Sequence, residues 1–105
     1  MRKLENKEDI DGIFFERTIY PLCPLGDDTY SAKISVWFVP REFYPEYIEL
    51  DEEIQKLGGK ELTIEELCET VFSIMQQYEP VNLDIEIEAK SNKHFPVTVE
   101  KHLYK

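Results

Sequence analysis

Hydrophobic and polar positions alternate most clearly in two stretches. From Tyr30 to Val39, Tyr30, Ala32, Ile34, Val36 and Phe38 fall on one side and Ser31, Lys33, Ser35 and Trp37 on the other. From Val81 to Lys90, Val81, Leu83, Ile85, Ile87 and Ala89 alternate with Asn82, Asp84, Glu86, Glu88 and Lys90. Period-two alternation puts one face of a strand on a core and leaves the other polar. Two further strands are expected: Ile13 to Tyr20, rich in β-formers, and about Phe95 to Leu103, with Phe95, Val97 and Val99 inward. Pro40 ends the strand before it.

Between these strands the period changes. Pro45 suits the first turn of a helix in which Tyr47, Leu50, Ile54 and Leu57 recur at helical spacing until Gly58-Gly59. A second helix is predicted from Thr63 to about Tyr78, halting before Pro80. Thr63 and Glu66 form the capping-box pattern, in which each side chain satisfies a backbone N–H left open at the helix start. Its buried stripe comprises Ile64, Leu67, Cys68, Val71, Met75 and Tyr78. The order is therefore ββααββ, an α+β domain with two helices on one face of a four-stranded antiparallel sheet. The other face stays polar, and the open sheet edges invite pairing between subunits. Residues 1–11 are mostly charged and expected to be flexible; residues 12–105 form a single domain.

Composition narrows the class. A chain of 105 residues with 42% hydrophobic and 12% aromatic side chains is a folded domain with one modest core. No apolar run approaches the roughly 20 residues that span a bilayer, and the charged start lacks the apolar stretch of a signal peptide, so a soluble cytoplasmic protein without membrane partners is expected. Twenty-two acidic against twelve basic side chains give a formal charge of −10, which repels nucleic acid at long range. Binding RNA would require Arg17, Lys33, Arg41, Lys56, Lys60 and Lys93 to gather on one rim.

Candidate chemistry centres on the loop between the first two strands, where Cys23-Pro24 precedes Leu25-Gly26-Asp27-Asp28-Thr29-Tyr30. A thiolate needs access and nearby donors or a base, which a loop can supply and the helix stripe holding Cys68 cannot. His94 and His102 are expected at a surface turn and an edge strand. Asp84, Glu86 and Glu88 are expected to form a solvated or interface face. Neither set supplies metal-ligand spacing, so no metal site is predicted.

The ββααββ order, the Cys23-Pro24 dipeptide, the segment ISVWFVPR closing the second strand and the helix start ELTIEEL together resemble the nitrile reductase family that acts on 7-cyano-7-deazaguanine. The similarity spans roughly residues 12 to 103 and is closest to short archaeal relatives, amidinotransferases that add ammonia to the nitrile of the modified guanine in tRNA to give archaeosine. The resemblance implies a tunnelling fold, a barrel-like homo-oligomer with active sites between subunits, and a 7-deazaguanine substrate, free or within tRNA. It implies Cys23 as the nucleophile forming a covalent thioimide, and Glu65 as the carboxylate that holds the purine-like edge. A carboxylate accepts two parallel hydrogen bonds from such an edge.

The chain departs from the family pattern at three places. Tyr30 stands seven residues after Cys23, where the family has its catalytic aspartate, which leaves Asp27, Asp28 and Tyr30 as candidate proton donors. Ile64 stands where a histidine often precedes the glutamate. The reductase segment resembling E-S-K-S-L-K, which helps to bind NADPH, is absent from Tyr44 to Leu57, arguing against hydride transfer and for an enzyme without a cofactor. Two alternatives stand beside amidine formation: a non-catalytic purine- or pterin-binding or scaffold protein of the same fold, and an NADPH-dependent nitrile reductase of queuosine biosynthesis.

Overall fold

The structure, a computed structural model, describes residues 2–26 and 28–104. Among the described residues, β2 (Ile13–Ile19), β3 (Ser31–Val39), β5 (Asn82–Lys90) and β6 (Val97–Tyr104) form an antiparallel sheet in the order β2-β3-β5-β6. The helices α1 (Tyr47–Gln55) and α2 (Ile64–Gln76) cover one face of it. The alternating stretches explain this arrangement: Ala32, Ile34, Val36 and Phe38 of β3 and Leu83, Ile85, Ile87 and Ala89 of β5 are fully buried against the stripe of α2. Thr63 caps α2 as expected. Its hydroxyl accepts from the Glu66 N–H at 3.0 Å, and the Glu66 carboxylate accepts from the Thr63 N–H at 3.0 Å.

Several expectations are corrected in detail. A second, two-stranded sheet joins β1 (Lys3–Glu5) to β4 (Phe43–Pro45). Within residues 1–11, where flexibility is expected, Lys3–Glu5 is thus paired, and the Arg2 N–H and guanidinium both donate to Glu49 of α1 at 2.8 and 2.7 Å. Pro45 closes β4 instead of opening a helix; the helix start is capped by Glu46, whose carboxylate accepts from the Glu49 N–H. Tyr47, placed in the α1 stripe by periodicity, is exposed. Phe95 lies before β6 and is 77% exposed, so the strand starts inward-facing only at Val97. Gly59 ends the helical segment with a left-handed φ of 78°, its N–H donating to Tyr20 O.

The uncovered face is acidic. Glu16, Asp84, Glu86, Glu88 and Glu100 project there with Lys33 and Lys90, and Glu86 lies directly across from Glu100 in the β5–β6 register. Arg17, by contrast, turns to the helix side and clamps α1 to β2 by donating from Nε to Asp51 at 2.7 Å.

On the same open face His102 lies between two carboxylates, its Nδ1 against Asp84 and its Nε2 3.5 Å from Glu100, with Tyr104 stacked at 5.8 Å. The hydrogen bond to Asp84, then the two negative charges, hold its pKa above the ordinary value. A raised folded-state pKa means that the charged ring stabilises the fold below its unfolded pKa of about 6.5, and that this contribution fades as pH rises through the folded value. His102→Gln should therefore lower the melting temperature more at pH 6 than at pH 9. A deficit independent of pH would contradict this reading.

Candidate functional site

Cys23 sits in the β2–β3 connection, which is a closed turn rather than an open loop. Its N–H donates to Asp28 O at 3.0 Å, the Gly26 N–H returns to Cys23 O at 3.2 Å, and the Tyr30 N–H donates to Pro21 O at 3.0 Å. Pro24 and Gly26 suit such a turn, the first by a preset φ and the second by leaving space. A Cβ on Gly26 would stand 3.4 Å from Lys93 Nζ, so the turn passes close under the lysine. The thiol is half-buried, with its inner side on the core.

A second segment is stitched to this turn. The Leu22 N–H donates to Lys60 O at 2.8 Å and the Leu62 N–H to Leu22 O at 3.1 Å, making a parallel bridge between Leu22 and Glu61. The Tyr30 hydroxyl donates to Leu62 O at 2.7 Å. Burial, then electrostatic repulsion from the neighbouring Cys23, Glu65 and Glu66, pushes the pKa of that hydroxyl up to about 12. Tyr30 is thus a structural side chain holding the entry of α2, and a weak acid.

A cavity of about 190 Å³ opens over Cys23. Asp28 and Tyr30 line it, as do Lys93 and His94 from the β5–β6 turn. Lys93 Nζ lies 3.0 Å from Asp28 Oδ2. The structure therefore brings Cys23, Asp28 and Tyr30 to one wall. Asp27 lies outside the described residues. Glu65 is exposed in the first turn of α2 and does not line the cavity, although its charge reaches Tyr30. Cys68 is buried in α2, where burial, then the Glu69 charge, push its thiol up; a thiol held protonated is a poor nucleophile.

Lys93 and His94 carry no local mark of a site in the sequence. Only the hairpin register, which swings the β5–β6 turn over the Cys23 turn, joins them to it. A larger cleft of about 520 Å³ lies between β2 and α1, lined by Phe15, Leu50, Ile48 and the Arg17–Asp51 pair. Its Arg17 and Asp51 already satisfy each other, Asp51 also accepting from Gln55 at 2.8 Å, and no cysteine or histidine lines it. The smaller cavity is the candidate site. Among the described residues no group of three or more His, Cys, Asp or Glu is gathered as for a metal ion, and no helix is long and apolar enough to cross a membrane.

The antiparallel β2-β3-β5-β6 sheet with both helices on one face is an α+β tunnelling fold. No family model and no curated protein matches the sequence. Among solved structures, the chain is similar to the crystal structure of the archaeosine synthase QueF-Like in the apo form, with a TM-score of 0.82, over 89% of this chain and 93% of that one. The identity is 17%, so the likeness establishes the fold.

Proposed function

We propose that the protein captures the nitrile of a 7-cyano-7-deazaguanine, free or carried in tRNA, as a thioimide on Cys23, and that ammonia resolves it to an amidine. The observation that carries this reading is the placement of a half-buried thiol at the wall of a cavity that also presents an ammonium and a carboxylate, in a fold shared with an archaeosine synthase. In the capture step the thiolate forms a C–S bond to the nitrile carbon, and the displaced π pair goes to nitrogen, which takes up a proton. Ammonia then adds to the same carbon and the C–S bond breaks, returning the thiolate and leaving the amidine. No electrons are exchanged with a redox partner, so this chemistry needs no nicotinamide.

The cavity is smaller than the about 300–1,000 Å³ usual for small-molecule sites. It suits the nitrile-bearing end of the base, with the remainder closed by a neighbouring subunit. Glu65, exposed in the first turn of α2 and outside the cavity lining, would then meet the purine-like edge across that boundary. A homo-oligomer joined through the edge strands β2 and β6 should sediment well above 12.5 kDa at micromolar concentration; a monomer there would remove the shared-site element. Any tRNA would approach away from the acidic sheet face, and Lys33, Lys56 and Arg17 are each already set against a carboxylate.

A second reading is favoured by Tyr30. Where the resembling family carries an acid, this chain has a hydroxyl committed to Leu62 O, as befits a purine- or pterin-binding protein without catalysis. Intact-protein mass spectrometry after incubation with 7-cyano-7-deazaguanine separates the two. The thioimide reading expects a mass increase of one nitrile molecule; ligand bound without any mass change favours the binding protein.

A further inference from the structure

The capture step requires a proton at the nitrile nitrogen, and the cavity wall contains few groups able to give one. Tyr30 commits its hydroxyl to Leu62 O. Asp28 is set against an ammonium and so acts as an acceptor. His94 commits its Nδ1 to the Phe95 carbonyl at 2.6 Å, an oxygen that can only accept. Ser91 accepts from the Lys93 N–H at 3.1 Å, which fixes the lysine backbone in its turn.

Lys93 differs from these in having protons to spare. Its Nζ carries three, one directed at Asp28 Oδ2 3.0 Å away, and it passes close over Gly26, inside the Cys23–Asp28 turn. Asp28 and the fixed turn hold the ammonium at the cavity, on the element facing the thiol.

We propose that Lys93 is the general acid of capture, its Nζ delivering a proton to the nitrile nitrogen as the Cys23 thiolate adds to the nitrile carbon. This rests on the thioimide reading above. The C–S bond forms, one N–H bond of the ammonium breaks, the imide N–H forms, and the neutral amine regains its proton from solvent. Asp28 is a positioning residue in this scheme, acting through the lysine.

The test compares two reactions of the same thiol. Alkylation of Cys23 by iodoacetamide needs the thiolate but no proton donor, whereas nitrile addition needs both. Lys93→Met should slow adduct formation with 7-cyano-7-deazaguanine by about 10²-fold, within the range of general acids, while alkylation stays within about threefold of wild type. Lys93→Arg keeps the charge and a partner for Asp28 but is too weak an acid to give up its proton, so it should be nearly as slow as Lys93→Met. Lys56→Met, which removes a carboxylate-paired lysine outside the cavity, should retain the wild-type rate.

Equal losses in alkylation and addition would make Lys93 a structural or thiol-activating residue, and full rescue by Lys93→Arg would make its role electrostatic. Either result overturns the proposal, as does wild-type addition by Lys93→Met or an equal loss in Lys56→Met. Absence of any adduct on the wild-type protein marks a different failure, that of the thioimide reading itself.

Discussion

Cys23→Ala should abolish the covalent adduct with 7-cyano-7-deazaguanine expected under the proposed function, while the protein remains folded. Without the thiol, the described residues of the cavity wall hold no comparable nucleophile: the Lys93 ammonium is set against Asp28, Thr29 and Ser91 hydroxyls are weak at neutral pH, and Tyr30 is held to Leu62 O. The half-buried side chain contributes modest packing, and the hydrogen bonds that shape the turn come from backbone groups of Cys23, Gly26 and Asp28, which alanine retains. Stability should therefore fall by less than about 1 kcal/mol. Cys68→Ala is the matched control. It removes a buried atom group from α2 and lowers the melting temperature, yet the adduct persists. An adduct of undiminished yield on Cys23→Ala would place the nucleophile elsewhere.

Phe38→Ala should have the largest effect on stability. Phe38 is fully buried in β3, between Ile13 of β2 and Leu83 of β5 in a row that ends on Leu103 of β6. Its ring fills one cross-section of the core beneath the helices, where neighbours on three strands are held by the sheet ladder and cannot collapse into the space. Phe→Ala at such a site costs about 3–5 kcal/mol. Domains of this size have total stabilities of about 5–15 kcal/mol, so the variant should be largely unfolded at 37 °C or melt far below wild type. Denaturant titration monitored through Trp37 measures the difference; a loss below about 1 kcal/mol would mean the core row is not packed as described.

The elements that were legible are those whose signal is local. Alternation over nine residues identifies β3 and β5, and Thr63 with Glu66 marks the start of α2 to the residue. The short strands β1 and β4 have three residues each, too few for a period, and they exist only because Lys3 meets Pro45 across the chain. Pro45 misleads because a fixed φ is compatible with the end of an edge strand as well as with a first helical turn. Glu46 caps α1 with a carboxylate that cap preferences rank below Ser, Thr, Asp and Asn. Phe95 reads as a strand residue by type, but Pro96 follows it and its ring meets the His94 ring edge-on in the turn.

The candidate site divides in the same way. Cys23 stands out in sequence through its Pro- and Gly-containing turn, and Asp28 and Tyr30 travel with it. Lys93 and His94 could not be assigned, since nothing near them announces chemistry and their approach follows from sheet register alone. Tyr30 shows the reverse: its position in the chain suggests a proton donor, and its hydrogen bond to Leu62 reveals a brace.

The stitching of the Cys23 turn has a consequence for how the protein acquires its site. Leu22 is joined to Glu61, Tyr30 to Leu62 and Asp28 to Lys93, so three segments remote in sequence meet at one thiol. Closing such long loops is entropically costly and comes late, after the hairpin and helix contacts that are local. The cavity wall is complete only when the β5–β6 turn, which carries Lys93 and His94, has closed over the Cys23 turn. Any chemistry of Cys23 that calls on those side chains therefore requires the completed domain, and a truncation before the β5–β6 turn removes one wall of the site.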